Sequence, residues 1–218
     1  MITLSKSPKR AEAQLLARFA GIPTVDAVDA LGGRGAIDFG IRRLFPSGSF
    51  VGSALTVETP PNDNLAPYAA LDLVRPGDAV VISTRDFTGA ASIGDTLLKL
   101  YSERGVAGVV LDGLVRDLNG IEEIGVPLYA RGLSPNAPQK HGPGSVGSDI
   151  VVGGVAVAQG DIVIGDRDGV VIVPAERAEQ ILASIETKKH TAPVAAAQQG
   201  SLPEWLEAFL KSNAVQRV

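Results

Sequence analysis

The sequence predicts a mixed α/β domain built on a parallel strand-helix-strand unit, with a glycine-rich hairpin region attached. Three observations carry this. Two short apolar runs, residues 79–83 and 106–111, flank a helical stretch that puts Leu97, Leu98 and Tyr101 on one side, as a crossover between parallel strands requires. Residues 150–173, IVVGGVAVAQGDIVIGDRDGVVIV, alternate short apolar runs with Gly-Gly, Gly-Asp and Asp-Gly turns, nearly all of them hairpin signals. A chain of 218 residues with 45% hydrophobic content buries a full core, so one domain over residues 1–218 is expected, with a helical extension from about 176 to 218.

The remaining elements follow from periodicity and punctuation. Ala11, Leu15, Leu16 and Phe19 fall at helical spacing within residues 9–19, and Gly21 with Pro23 ends that helix. Thr24 caps a second short helix, residues 25–31, with Asp26 in its first turn. The glycines of residues 32–36 then make a helix-ending turn; no Gly-Lys-Ser/Thr follows, as a phosphate loop would need. Residues 50–58 read as a strand, and Asn64 caps a helix running to about Val74. A helix from Asp95 to Arg104 closes at Gly105, and a short helix through Ile124 leads to a strand at 126–129. After Pro174, residues 176–189 form an amphipathic helix on Ala178, Ile181, Leu182 and Ile185. A last helix around 205–210 presents Trp205, Leu206 and Phe209 for docking, on its own core or on a neighbouring subunit.

Composition removes several function classes. Twenty basic residues against 24 acidic ones leave no cationic surplus for nucleic acid. The absence of cysteine excludes disulfide scaffolds, thiolate zinc sites and cysteine nucleophiles, and two histidines are too few for a histidine-rich zinc site. No stretch is long and apolar enough to span a bilayer, and residues 1–19 lack a signal-peptide core, so a cytoplasmic protein without membrane partners is expected.

Chemistry concentrates between Asp95 and Arg116. A right-handed crossover places the loops after both strands on one sheet edge, so Asp95 and the Arg116-Asp117 pair are expected to meet at the carboxyl edge, where ligand crevices form. Gly94-Asp95-Thr96-Leu97-Leu98 opens a helix whose first amides lack internal partners, which makes an anion site. A substrate carboxylate on those amides, with the Arg116 fork opposite, would be held from two sides. Two aspartates nearby attract a hard divalent cation such as magnesium or manganese. Such a set suits enolate chemistry on a 2-oxo acid. The plainer reading is a helix cap plus a surface ion pair, and on spacing alone it is the stronger one.

The pattern of Asp95, twenty residues, then Arg116-Asp117 resembles the signature of the class II pyruvate aldolases. These cleave 4-hydroxy-4-methyl-2-oxoglutarate and 4-carboxy-4-hydroxy-2-oxoadipate, decarboxylate oxaloacetate, and share a family with the regulator of ribonuclease activity A. The resemblance covers most of the chain, from Thr24-Val-Asp-Ala-Val-Asp-Ala-Leu31 through Gly165-Asp-Arg-Asp-Gly-Val-Val-Ile-Val-Pro174, and takes in Asp63-Asn64, Gly94-Asp95 and Gly113-Leu-Val-Arg-Asp117. It implies a β/β/α swivelling-type fold of the phosphohistidine-domain kind, assembled as a homotrimer or homohexamer. It also implies that Asp117 binds Mg2+ or Mn2+, Asp95 holds a water on that ion, and Arg116 binds the pyruvate oxygens. The amides of residues 95–98 would take the substrate carboxylate, and Asn64 would join them in substrate binding. The regulator lacks these acidic residues, so their presence favours an enzyme over a non-catalytic binding protein. An enzyme of this scaffold acting on another 2-oxo or sugar acid is the further alternative. Two departures stand out: Thr84-Arg-Asp-Phe-Thr88 replaces a family Gly-Gly-Gly and is expected to reshape the pocket, and His190 stands where a glutamate is common.

Three tempting features read as ordinary. His141 is a solvated loop histidine, since its neighbours do not resemble a phosphohistidine motif. Asp166-Arg-Asp-Gly169 is a hairpin turn, because it lacks the alternating ligands and distal glutamate of a calcium loop. Arg42-Arg43 is too short to mark a nucleic-acid surface, which leaves a solvated or subunit-contact pair.

Overall fold

The computed structural model describes residues 1–191 and 203–213, and for 188–191 it describes the backbone alone. The chain divides into two units, Met1–Ile185 and Glu186–Val218. In chain order the elements are β1 (Ile2–Leu4), α1 (Ala13–Phe19), α2 (Thr24–Ala30), β2 (Arg42–Arg43), β3 (Phe50–Glu58), α3 (Leu65–Ala69), β4 (Asp78–Ser83), β5 (Ala91–Ile93), α4 (Asp95–Ser102), β6 (Gly108–Leu111) and β7 (Leu114–Val115). There follow α5 (Leu118–Ile124), β8 (Leu128–Ala130), β9 (Gly132–Leu133), β10 (Gly144–Val146), β11 (Ile150–Val152), β12 (Val155–Val157), β13 (Ile162–Gly165), β14 (Val170–Val173), α6 (Ala178–Thr191) and α7 (Glu204–Ser212).

The main sheet runs β1-β10-β3-β4-β6-β8-β2, with β13 also on β3 and β14 on β13. Its centre is the predicted crossover: β4 pairs in parallel with β6, and β3 and β8 extend the parallel set on either side. Successive side chains of these strands go to opposite faces. Leu55, Val57, Val80, Ile82, Val109, Leu111 and Leu128 meet α3, α4 and α5 on one face, through residues such as Leu97, Leu98, Tyr101 and Ile121. Ala79, Val81, Val110 and Tyr129 face the β11–β12 hairpin and β13 on the other. A third cluster packs Phe19, Ala27, Ile181 and Leu182 of α1, α2 and α6 against β13 and β14. Both faces of the parallel strands are therefore covered, as their continuous apolar runs require.

Several boundaries differ from expectation for local reasons. The first helix starts at Ala13 rather than near residue 9, because the preceding segment is used elsewhere: the Arg10 guanidinium pairs with buried Asp78 at 2.8 Å, and the Ala11 amide donates to Ser53 Oγ at 3.0 Å. The helix expected to reach Val74 ends at Ala69 and continues as a 3₁₀ turn over Ala70–Asp72. Of the three turns in residues 150–173, the first and last make hairpins, β11 with β12 and β13 with β14. The middle one does not. Asp161, buried there, accepts from the Ala158 and Ala175 amides and turns β13 onto β3 instead.

Beside the main sheet lies a second, all-parallel sheet, β5-β7-β9. Within the second unit, α7 leaves Trp205 and Phe209 more than half exposed. Among the described residues no helix is long and apolar enough to cross a membrane.

Candidate functional site

Asp95 and Arg116-Asp117 do meet, but on the small sheet. The chain leaving β4 first turns through residues 84–90 and adds β5 before α4 begins, while β6 continues into β7 before α5. Because β5 and β7 are parallel neighbours in register Ala91↔Leu114 and Ile93↔Val115, both helices start from the same edge. The Arg116 amide donates to the Ile93 carbonyl at 3.0 Å and locks that edge.

Asp117 stands at the N-cap position of α5 but does not cap it through its side chain. It precedes α5 with φ 61° and ψ 45°, in the left-handed region, and makes no capping hydrogen bond. A β-carbon there costs on the order of 1–2 kcal/mol, and such strain concentrates at functional sites. The Arg116 Nε lies 3.2 Å from Asp117 Oδ2. Each aspartate rests on a glycine of the facing segment. A β-carbon on Gly94 would stand 2.7 Å from Asp117 Oδ2, and one on Gly120 would stand 2.8 Å from Asp95 Oδ2. Glycine at both positions is what lets the two carboxylates cross between the helix starts. Asp95 Oδ1 accepts from its neighbour Thr96, at the amide and at Oγ1.

The anion site is narrower than the sequence implied. Leu98 is withdrawn from it, because its amide donates to the Gly94 carbonyl at 3.1 Å and its side chain is fully buried in the core. The Thr96 amide is taken by Asp95. The amides of Asp95 and Leu97 remain without a protein acceptor among the described residues. They open on a recess lined by Asn64, Tyr68, Gly94, Asp95, Arg116, Asp117 and Lys140, among others. Asn64 lines the recess: its Nδ2 donates to the Ser92 carbonyl at 3.2 Å, and its buried Oδ1 has no hydrogen-bond partner among the described residues.

Of the lining residues not foreseen from sequence, Lys140 matters most for chemistry. Lys140 puts its ammonium 4.9 Å from the centroid of the Tyr68 ring, so the lining of the recess includes a second cation besides Arg116. The signal was present only as a lysine inside the Gly/Pro-rich segment 132–144, which local pattern cannot direct to a site. His141 is exposed, as expected.

The segment Thr84–Thr88 does not line the recess. Thr84 donates its amide and Oγ1 to the buried Asp112 carboxylate, Ser83 Oγ donates to the same group, and Asp86 pairs with Arg131 at 2.6 Å. Burial pushes the Asp112 carboxyl up, against the hydrogen bonds from Thr84 and Asp86. The expected reshaping of the pocket by these side chains is therefore not found; they cap the main sheet instead. The side chain of His190 lies outside the described residues.

For a metal, the donors on offer are the Asp95 and Asp117 carboxylates, and among the described residues no group of three or more acidic, histidine or cysteine side chains gathers. Few oxygen donors with open space beside them fit magnesium or manganese, which keep waters and take substrate oxygens. Soft or imidazole-seeking metals find nothing here. A larger concavity lies between α2 and β14, lined by Val25, Phe39, Arg42 and Arg167 among others. Its Asp38 is engaged by the Gly40 amide and Arg131, so chemistry rather than volume selects the smaller recess.

Residues 24–172 match the RraA-like family, described as Aldolase/RraA, over more than half of the chain. The chain belongs to the RraA-like family. A relative from Halalkalibacterium halodurans, named "Putative 4-hydroxy-4-methyl-2-oxoglutarate aldolase", is 34% identical over 83% of this chain and 86% of its own length. Among solved RraA-like structures, Streptomyces coelicolor RraAS2, described as an unusual member of the RNase ES inhibitor RraA family, superposes with a TM-score of 0.75 at 28% identity, covering 84% of this chain and 95% of that one. The RNA-processing inhibitor RraA from Thermus thermophilis gives a TM-score of 0.65 at 27% identity over 70% and 92% of the two chains.

Proposed function

We propose that this RraA-like chain is a divalent-metal-dependent carbon–carbon lyase that releases pyruvate from a 2-oxo acid. The substrates would be 4-hydroxy-4-methyl-2-oxoglutarate or 4-carboxy-4-hydroxy-2-oxoadipate by retro-aldol cleavage, and oxaloacetate by decarboxylation. The observation that carries this reading is the pair of crossed carboxylates seated on Gly94 and Gly120 with the Arg116 guanidinium beside them. Naming of the Halalkalibacterium relative supports it.

In this reading the amides of Asp95 and Leu97 take the substrate carboxylate at the start of α4, where the helix dipole favours negative charge. Arg116, fixed through Nε against Asp117, directs its remaining donors at the oxygen on which enolate charge develops. Magnesium or manganese held at Asp117 would supply Lewis acidity toward the same oxygens. Asp95, directly or through a water, takes the proton of the 4-hydroxyl as the carbon–carbon bond breaks. Lys140 faces the far carboxylate of the substrate. Decarboxylation of oxaloacetate has no hydroxyl proton to remove, so Asp95→Asn should impair aldol cleavage more than decarboxylation.

The test is pyruvate release, followed with a coupled dehydrogenase, from oxaloacetate and from 4-hydroxy-4-methyl-2-oxoglutarate with magnesium present. A chelator should abolish release and Asp117→Ala should reduce it by at least about 10³-fold. Equal inactivity of wild type and Asp117→Ala on both acids would sink the lyase reading. The likeness to ribonuclease inhibitors would then direct attention to a non-catalytic binding role. The assembly belonging to this reading is a homotrimer or a pair of trimers, which light scattering would measure.

A further inference from the structure

We infer that Asp63 is a positioning residue whose single carboxylate holds together the two parts of the chain that aim Lys140 into the recess. This rests on the lyase reading for its catalytic meaning. Asp63 is 3% exposed, and its carboxylate forms no ion pair among the described residues. Its acceptors are filled by backbone instead: Oδ1 takes the Leu65 amide at 2.9 Å, and Oδ2 takes the His141 amide at 2.6 Å and the Gly142 amide at 3.0 Å. Leu65 opens α3, which carries Tyr68; His141 directly follows Lys140. The carboxylate thus ties the base of the helix bearing the aromatic ring to the loop bearing the ammonium that stands over it.

Further bonds make the joint stiff. The Asn64 amide donates to the Gln139 carbonyl at 3.0 Å, the Gln139 amide donates to the Asn62 carbonyl at 2.7 Å, and Thr59 Oγ1 donates to the Asp63 carbonyl at 3.0 Å. A buried charge without a counter-ion is expensive unless hydrogen bonds replace its hydration, and three amides do so here. Asparagine keeps the shape of Asp63 but replaces one acceptor with a donor. Whichever way its amide turns, an N–H meets an N–H, at Leu65 or at His141 and Gly142. One end of the joint is released, and Lys140 loses its fixed direction.

The experiment is a double-mutant cycle on 4-hydroxy-4-methyl-2-oxoglutarate, whose far carboxylate keeps its charge through the cleavage, with Asp63→Asn, Lys140→Ala and the pair, together with hydrogen exchange at the amides of Leu65, His141 and Gly142. Each single variant should raise KM about tenfold with kcat within about twofold, because the far-end contact is made equally in ground and transition states. The pair should be no worse than Lys140→Ala alone. Exchange should quicken at least about tenfold in Asp63→Asn at whichever end the asparagine N–H releases, the Leu65 amide or the His141 and Gly142 amides. An Asp63→Asn effect on KM that persists undiminished in the Lys140→Ala background overturns the inference, as does an unchanged KM with fast exchange. If Asp63→Asn does not fold, Asp63→Ser, which keeps one acceptor, carries the same comparison. A wild type that turns over neither acid defeats the lyase reading instead, and slow exchange in the variant would then still defeat the clamp.

Discussion

Gly94→Ala is a small change with a calculable consequence. The residue has φ −127° and ψ −177°, extended backbone open to alanine, and α4 loses no side-chain cap because Gly94 supplies none. The added carbon would stand 2.7 Å from Asp117 Oδ2, whereas ordinary contact begins at 3.4 Å, so the oxygen must retreat by about 0.7 Å. Asp117 is 46% exposed at its side chain and can swing outward, at an off-rotamer cost of about 0.5–1.5 kcal/mol. Folding should therefore suffer little, with the melting temperature falling by no more than about 2–6 °C. Catalysis should suffer more, since a misplacement approaching 1 Å costs on the order of 10²-fold. The assay is kcat/KM for pyruvate release alongside thermal unfolding, with Gly48→Ala as control because nothing lies within 4 Å of its added carbon. Wild-type kcat/KM in Gly94→Ala would refute the reasoning that the crossed carboxylates define the site. So would a loss matched by collapse of the fold.

Other perturbations test the frame that holds the site. Asp166 accepts from the Thr24 amide and Oγ1 at 2.8 Å, and from the Asp168 amide at 2.9 Å. Burial raises its carboxyl, but these bonds outweigh burial and hold it below the usual 3.8. Its folded value is depressed, so its contribution is complete above about pH 4 and is lost as pH falls through the lower folded value. Asp166→Asn should cost about 1 kcal/mol at neutral pH in denaturant unfolding and flatten the acid limb of the stability curve; an unchanged limb would contradict the assignment. Arg10→Ala leaves the Asp78 carboxylate, 1% exposed, without its guanidinium, and should cost about 3 kcal/mol in the same assay. A loss under about 1 kcal/mol would show that the segment before α1 is not pinned there.

The crossover was legible in sequence because its strands are buried on both faces and its helix has a strong apolar side, two signals that do not depend on distant partners. The meeting of Asp95 with Arg116 followed from handedness alone, although the sheet that brings them together was not foreseen. Strands as short as Leu114–Val115 and Gly132–Leu133 carry no alternation to read. The left-handed backbone of Asp117 was equally invisible, since nothing in Arg-Asp-Leu-Asn distinguishes it from a cap. Lys140 and Asp63 lie 77 residues apart along the chain and meet through backbone amides, which leave no mark on composition. Pairing that depends on long-range partners also explains the Gly160-Asp161 turn, whose local chemistry promised a hairpin that β3 prevented by pairing with β13.

That pairing has a consequence during synthesis. Ser53 of β3 waits for Ile162 of β13, about 110 residues later in the chain. At roughly 5–20 residues per second, that interval lasts on the order of 5–20 s. Meanwhile β4 emerges early and covers one side of β3, but the other side, from Phe50 to Ser53, exposes unpaired backbone flanked by apolar side chains. A ribosome carrying a half-made chain thus displays a sticky sheet margin, and an Asp161 variant that delays arrival of β13 would lengthen the exposure without touching a residue of the recess. Yield of soluble protein at high expression rates should track that delay more closely than the stability of the finished fold.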